Sequence, residues 1–169
     1  MIEGAREEDI EVVAAVLQRM HVDCGMVRGA FEVRPSRPRA ARRITTGLWP
    51  SFPSDLVSLV TVLATQAEGR TLVHDWMYEL RLFALEQMSG MGADLFLADA
   101  HRIIVQGPTR LRGGRLLDSR DLRSGMSLIA AGLAADGQTR VTPLETVERG
   151  YSQLVSRLEA IGAKVTRVD

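Results

Sequence analysis

Two arginines stand where a cation does not stabilise a helix. Arg123 and Arg149 each fall in the first turn of a predicted helix, close to the acidic residues Asp121 and Glu148. Because the helix dipole places partial positive charge at this end, stability alone favours an acidic residue there. A cation beside a helix N-terminus is useful where an anion binds. The alternative interpretation is a salt bridge between each arginine and its acidic neighbour.

Asp55 is a further residue whose type and position could do chemistry. It follows Pro53 and Ser54 at the expected start of a helix. An aspartate there commonly caps the helix by accepting backbone N–H groups, and Asp121 is interpreted as a cap of this kind. A carboxylate can instead accept a proton from a group within hydrogen-bond reach. Both interpretations of Asp55 are open at this point.

Cys24 is the only cysteine, and it lies close to His21 in the segment HVDCGMV. One cysteine with the scattered histidines His21, His74 and His101 is too small a set for a zinc site, so no metal is predicted. We interpret Cys24 as an ordinary thiol. A single cysteine also rules out an internal disulfide, which fits a reducing compartment.

Composition narrows the class of protein. The 169 residues include 46% hydrophobic and 25% charged residues, as in a soluble domain with a sizeable core. The 21 basic and 21 acidic side chains balance, so neither a nucleic acid nor a membrane surface is an expected partner. The acidic start lacks a signal core, and the longest apolar stretch, 56–64, is too short to span a bilayer. We therefore expect a cytoplasmic protein.

The elements that must position these residues are short helices and strands in alternation. Apolar spacing predicts helices at 7–19, 55–66, 79–88, 122–135 and 149–160. Short apolar runs predict strands at 31–33, 70–75, 94–99, 102–107, 139–143 and 164–168. This alternation predicts an α/β or α+β fold. The proline-rich, basic stretch 33–53 is interpreted as an exposed connection or edge strand, with a phosphate-contacting surface as the alternative.

The chain contains an internal repeat. Segment 54–73 aligns with 120–141, and the alignment continues to the Gly-Ala steps at 92 and 162. The matched pairs are Asp55 with Asp121, Gly69 with Gly137, Arg81 with Arg149, and Gly92 with Gly162. We predict one domain made of a partial first repeat and connection (1–53), a second repeat (54–119) and a third (120–169).

Four segments resemble a known family. They are PSFPSD (50–55), YELR (78–81), SRDLRSGMSLIAAGLAADGQTRV (119–141) and ERGYSQLVSRLEAIGAKV (148–165). Together they resemble the C-terminal domain of the UDP-N-acetylglucosamine 1-carboxyvinyltransferases, which are enolpyruvyl transferases of peptidoglycan synthesis. The resemblance implies βαβαββ-type repeats, with helices around a shared core and sheets outside, in an inside-out barrel. It implies transfer of an enolpyruvyl group from phosphoenolpyruvate to the sugar 3-hydroxyl of UDP-N-acetylglucosamine, without a cofactor.

The resemblance also implies roles for individual residues. Asp55 is implied to be the base near the attacking hydroxyl, and Arg123 and Arg149 to hold phosphoenolpyruvate. Arg81 is implied to assist, although leucine precedes it where the family usually has asparagine. Met77 and Tyr78 are implied to face the UDP-sugar; a half-buried turn aromatic is the alternative for Tyr78. We expect Asp55 and the three arginines to converge on one concave face.

The resemblance covers only part of the family's length. Family members carry an N-terminal domain with a lysine that contacts phosphoenolpyruvate and a mobile loop that carries the acid; Cys24 does not match that loop. We therefore expect the chain alone to be an incomplete and inactive enzyme that needs the missing domain or a partner chain. The alternatives are a non-catalytic module that binds an anion or a uridine sugar, and one chain of a split enzyme.

Overall fold

The fold is seen in a computed structural model, which describes residues 1–119 and 121–168. The α-helices are α1 Glu7–Arg19, α2 Val57–Gln66, α3 Leu122–Ala134, α4 Leu144–Glu148 and α5 Leu154–Ala160. The strands are β1 Ile2–Glu3, β2 Cys24–Val27, β3 Ala30–Val33, β4 Arg43–Thr45, β5 Gly69–His74, β6 Asp94–Leu97, β7 Arg102–Gly107, β8 Leu116–Asp118 and β9 Arg140–Thr142. Two segments, Ser54–Leu56 and Arg81–Met91, are 3₁₀ helices.

The described strands form three sheets. One has the order β1-β3-β2, with antiparallel pairs throughout. The largest has the order β4-β5-β7-β6, in which β4 is parallel to β5 and the other pairs are antiparallel. The third is the parallel pair β8-β9. A mixture of helices and sheets in this arrangement confirms the predicted α/β class.

Two arrangements recur along the chain. Helix α2 connects the parallel strands β4 and β5, and helix α3 connects the parallel strands β8 and β9. In addition, β1, β2 and β3 have the same order around α1 that β5, β6 and β7 have around Arg81–Met91. The division of the chain into three repeats at 53 and 119 remains a prediction that this recurrence supports.

Helix α2 lies at the centre of the fold. It packs against α3 on one side and against β5 and β7 on the other. Residues around most of its circumference are buried, including Val57, Thr61 and Ala64. The hydroxyl of Thr61 donates to the carbonyl of Val57 at 2.8 Å, so the buried polar group has a partner. A helix that is apolar on nearly every side is stable only when covered on every side.

Close packing at the end of α2 explains one glycine. A Cβ atom at Gly107, the last residue of β7, would lie 2.4 Å from the carbonyl oxygen of Ala67 and 2.7 Å from that of Ala64. These are backbone atoms that cannot turn aside, so a side chain at position 107 would push β7 away from the helix. Glycine is therefore required where the sheet meets the end of α2.

Side chains alternate in and out along the sheet strands. Thr71 and Val73 of β5 and Ile103 and Val105 of β7 are fully buried, whereas Arg70 faces solvent. Strand β4 lies at the edge of its sheet, as expected for the proline-rich stretch 33–53. No helix in residues 1–119 and 121–168 is long and apolar enough to cross a bilayer.

Three predicted elements were wrong. The helix predicted at 149–160 is present only as α5, Leu154–Ala160, because residues 149–153 form the turn between α4 and α5, with Gln153 at a left-handed φ of 52°. The helix predicted at 79–88 is the 3₁₀ segment Arg81–Met91. Residues 164–168 form no strand; β6, their counterpart in the repeat, pairs with β7, and no described residues supply that partner here.

Asp99, in the turn between β6 and β7, yields a prediction for acid stability. Its carboxylate accepts the Nε–H of Arg102 at 2.6 Å and the N–H of His101 at 2.9 Å, and the bond from Arg102 foremost lowers its pKa to about 2. Because the unfolded pKa is about 3.9, the folded state binds fewer protons, and this stabilisation is lost as pH falls from about 4 towards 2. In urea denaturation, Asp99→Asn should flatten the fall in unfolding free energy across that range. The exposed Asp94→Asn should keep the wild-type slope, and equal slopes in all three proteins would contradict the assignment.

Candidate active site

Asp55 does not cap a helix. The 3₁₀ turn Ser54–Leu56 begins after Pro53, and no side chain caps it. Asp121, by contrast, caps α3 by accepting the N–H groups of Arg123 at 2.9 Å and Ser124 at 3.1 Å. The Asp55 carboxylate is 59% exposed and available to other side chains. The capping interpretation therefore holds for Asp121 and fails for Asp55.

Arg123 reaches from the first turn of α3 to Asp55, 68 residues earlier in the chain. Its Nε–H bonds one carboxylate oxygen, and its second guanidinium nitrogen donates to the other at 3.1 Å. This fork-to-carboxylate geometry is the strongest pairing available to arginine. The bond with Asp55 raises the pKa of Arg123, against the opposing effect of partial burial. The alternative partner for Arg123, Asp121, is occupied as the helix cap.

Arg81 approaches Asp55 from a different element. It begins the 3₁₀ segment Arg81–Met91, and its side chain is only 10% exposed. Its Nη1 lies 3.5 Å from Asp55 and bonds the hydroxyl of Ser54. The guanidinium stacks over the ring of Tyr78 at 4.0 Å from the centroid, which is a favourable cation–π contact. One carboxylate is thus shared between two arginines.

Tyr78 and Met77 lie in the turn that follows β5. Tyr78 is about half exposed, with one ring face against Arg81. Met77 is half-buried, and its backbone N–H donates to Asp75 at 3.2 Å. Tyr78 therefore contacts Arg81 directly and is open to solvent on its free side, whereas the backbone of Met77 is bonded to Asp75.

Arg149 is not connected to this group. It lies at the C-terminal end of α4 rather than in the first turn of a helix, and it is exposed. Among the described residues, no hydrogen bond or ion pair joins it to Asp55, Arg81 or Arg123. Its expected partner, Glu148, instead accepts two hydrogen bonds from Arg167, at 3.1 and 3.2 Å. The structure thus brings together three of the four predicted residues.

Three further residues belong to the site. Asp75 is fully buried beside Ser54 and Arg81. Tyr151 is half-buried near Arg123; burial foremost raises its pKa, and the charges of Arg123 and Asp55 act on it in opposite directions. In the sequence, Asp75 ends a predicted strand and Ser54 precedes a predicted helix. An acidic residue at the end of a buried strand was the signal that could have identified Asp75 as part of the site.

The geometry suits an oxyanion. Two guanidinium groups face a single carboxylate that is itself 59% exposed, so a phosphate or carboxylate ligand could replace Asp55 as their partner. No group of three or more His, Cys, Asp and Glu side chains in residues 1–119 and 121–168 is placed to hold a metal ion. The chemistry within reach is anion binding by arginine and proton acceptance by a carboxylate.

The sequence model of the family described as EPSP synthase (3-phosphoshikimate 1-carboxyvinyltransferase) matches residues 1–158. The chain belongs to this family. Curated relatives named UDP-N-acetylglucosamine 1-carboxyvinyltransferase include one from Treponema denticola, 43% identical over 123 residues, and one from Bacteroides thetaiotaomicron, 42% identical over 141 residues. These alignments cover 73% and 82% of this chain, but only 29% and 32% of the relatives. The predicted resemblance is confirmed, and this EPSP synthase family chain spans less than a third of those relatives.

Two solved structures share the fold. The enolpyruvyl transferase NikO from Streptomyces tendae has a TM-score of 0.80 at 26% identity, covering 94% of this chain and 36% of NikO. An EPSP synthase from Acinetobacter baumannii has a TM-score of 0.67 at 17% identity, covering 99% of this chain and 41% of that one, and supports the fold alone. The predicted enolpyruvyl-transferase-like fold is confirmed.

The residue before Arg81 provides a stability prediction. Leu80 is 58% exposed and has a left-handed φ of 63°, where Asn is tolerated far better than Leu. Leu80→Asn should therefore raise the free energy of unfolding by about 1 kcal/mol, measured by urea denaturation. Leu116→Asn, at an exposed position of β8 outside that region, should give no gain. Equal or opposite effects of the two changes would contradict strain at Leu80.

Proposed function

We propose that this chain forms one wall of the active site of an enolpyruvyl transferase that acts on phosphoenolpyruvate and UDP-N-acetylglucosamine. The observation that carries the proposal is the Asp55 carboxylate shared by Arg123 and Arg81, three residues far apart in sequence. The names of the curated relatives supply the substrate. Peptidoglycan synthesis and a cytoplasmic location follow as parts of the same proposal.

Asp55 serves as the proton acceptor in this proposal. The sugar 3-hydroxyl loses its proton to the carboxylate as its oxygen bonds to the central carbon of phosphoenolpyruvate, while the methylene carbon gains a proton. The tetrahedral intermediate then loses phosphate and a methyl proton, which restores the double bond. An exposed carboxylate with no capping role fits this task, because it can approach a bound hydroxyl.

The arginines bind the anionic substrate. Phosphoenolpyruvate carries a phosphate and a carboxylate, each of which matches the planar fork of a guanidinium. Arg123 and Arg81 supply that fork beside Asp55. Arg149, which has no acidic partner among the described residues, is free to complete the set once substrate is bound. In this proposal Tyr78, whose ring stacks on Arg81, and Met77 in the same turn contact the UDP-sugar.

The remaining machinery lies outside these 169 residues, on the same polypeptide or on another. The relatives are more than three times as long as the aligned segment, so a second wall has room to carry the acid and to close over the substrates. Closure excludes water and orients the reactants. A module that binds an anion or a uridine sugar without catalysis is the alternative, since the arginine pair is present without a second wall.

Turnover provides the first test. The 169 residues alone should release no phosphate from the two substrates in a coupled assay. A chimera in which this chain replaces the matching segment of the Treponema denticola relative should be active, and Asp55→Asn should lower its kcat by about 10²–10⁴-fold. Asp136→Asn removes an exposed ion pair with Arg110 and should leave the rate unchanged. A chimera that is inactive, or one indifferent to Asp55→Asn, would refute the catalytic role.

Anion binding by the isolated chain provides the second test. Titration with phosphate, followed by NMR, should show weaker binding in Arg123→Ala, by about tenfold or more, because a charged hydrogen-bond donor is lost. Asp55→Asn should bind phosphate more tightly than the wild type, because the competing carboxylate is gone. Arg157→Ala, at an exposed position of α5, is the control and should bind as the wild type does. Equal affinities in all four proteins would contradict the proposed anion site.

A further inference from the structure

The carboxylate of Asp75 is the most deeply buried charge next to the site. The residue is 0% exposed and lies directly after β5. Its Oδ1 accepts the hydroxyl of Thr46 at 2.8 Å and the N–H of Met77 at 3.2 Å, and its Oδ2 accepts the hydroxyl of Ser54 at 2.6 Å. Three separate segments of the chain therefore converge on one anion. None of the proposed chemical steps uses it.

The Ser54 hydroxyl connects this anion to Arg81. An ionised carboxylate only accepts hydrogen bonds, and a guanidinium only donates them. Because the hydroxyl lies between the two, its proton is directed to Asp75 and its lone pair receives the N–H of Arg81. Neither end of this chain of hydrogen bonds can reverse, so the orientation of the hydroxyl is fixed. Because Ser54 directly precedes Asp55, the residue that bonds Arg81 and the carboxylate that Arg81 approaches lie in the same turn.

Charge balance explains why Arg81 needs this connection. Its side chain is 10% exposed, and a guanidinium removed from water requires a negative partner. Two carboxylates are near its Nη1: Asp55 at 3.5 Å and Asp75 at 3.9 Å. Asp55 is exposed and is shared with Arg123, whereas Asp75 is enclosed and has no other cation within ion-pair distance among the described residues. Asp75 is thus the permanent counter-charge of Arg81, and Asp55 is the exchangeable one.

We propose that Asp75 and Ser54 are positioning residues that hold the Arg81 guanidinium in the anion site independently of Asp55. With Asp75 in place, Arg81 keeps its position when a ligand displaces Asp55 from the arginine pair. Without it, Arg81 would either follow Asp55 or turn into solvent. The consequence for the ligand rests on the proposed function; the positioning of Arg81 does not.

Two pairs of matched variants separate this role from general stability. Ser54→Ala and Thr46→Val each remove a hydroxyl that bonds Asp75. Ser58→Ala and Thr71→Val each remove a fully buried hydroxyl that has no hydrogen-bond partner. Ser54→Ala is matched with Ser58→Ala, and Thr46→Val is matched with Thr71→Val. Because the chemical change is the same within each match, a difference between the two variants reports on the contact with Asp75. Asp75→Asn adds a variant that keeps the shape of the side chain and removes its charge.

The first readout is the mobility of Arg81, measured by ¹⁵N relaxation of its Nε–H in the full chain. We expect an immobile guanidinium in the wild type, in Ser58→Ala and in Thr71→Val, and a mobile one in Ser54→Ala and Asp75→Asn. Ser54→Thr retains the hydroxyl and should restore the immobile state. An Arg81 side chain that stays immobile in folded Ser54→Ala and Asp75→Asn would overturn the proposal; if Asp75→Asn does not fold, Ser54→Ala decides alone.

The second readout is phosphate affinity by NMR titration. Ser54→Ala should weaken phosphate binding by roughly fivefold, whereas Ser58→Ala should not change it. If the wild type binds no phosphate but Arg81 becomes mobile in the Ser54 variant, the positioning role stands and the proposed anion site fails. If phosphate binds and Ser54→Ala leaves both affinity and mobility unchanged, the anion site stands and the positioning role is refuted.

Discussion

A carboxylate buried away from water must be surrounded by donors, and this constraint organises the region around Asp75. The hydroxyls of Thr46 and Ser54 and the backbone of Met77 supply those donors, and each belongs to a different segment. A buried charge without such partners would be far too costly to keep. Satisfying it fixes the end of β4, the turn before α2 and the turn after β5 relative to one another. Asp55 lies in the turn before α2, and Arg81 follows the turn after β5.

The repeated parallel connections explain how distant residues meet. Helix α2 follows the edge strand β4, helix α3 follows β8, and the two helices pack together at the centre of the fold. Asp55 precedes α2 and Arg123 lies in the first turn of α3, so the packing of the two helices brings their N-terminal ends close enough for these side chains to bond. In the predicted repeat, Asp55 corresponds to Asp121. The two positions have diverged in use: Asp121 caps its helix, whereas Asp55 is left for the arginines. If the predicted repeat is correct, the same position caps a helix in one copy and binds arginines in the other.

Much of the architecture could be predicted because it depends on local periodicity. Helices α1, α2 and α3 and strands β5 and β7 have clear apolar spacing, and their positions agree with the prediction. Residues 149–160 misled the prediction because helical spacing continues through a left-handed turn at Gln153. Strand β8 is only three residues long, too short for any periodicity to appear.

The residues of the site likewise include some that the sequence predicted and some that it did not. Asp55, Arg81 and Arg123 were predicted through the resemblance to a family. Membership of that family is confirmed, and the roles of the three residues stay predictions. Ser54 and Asp75 were missed, because their importance arises from a contact between segments 21 residues apart. The position of Asp75 at the end of a predicted strand marks it as unusual, but it does not indicate that Ser54 is its partner. Arg149 shows that a family motif in the sequence does not by itself place a side chain in the site. Its motif is present, yet its side chain is not joined to the other arginines in this structure.

The parallel pairing of β4 with β5 has a consequence for the order of folding. Parallel strands cannot be joined by a tight turn. The chain must therefore cross over through the segment that contains α2 for Ile44 to pair with Val73. Thr46, Ser54 and Asp75 reach one another only when that crossover closes. Contacts of this kind form late, since chain entropy is lost before they stabilise anything. We therefore expect Arg81 and Asp55 to come together only in a late stage of folding.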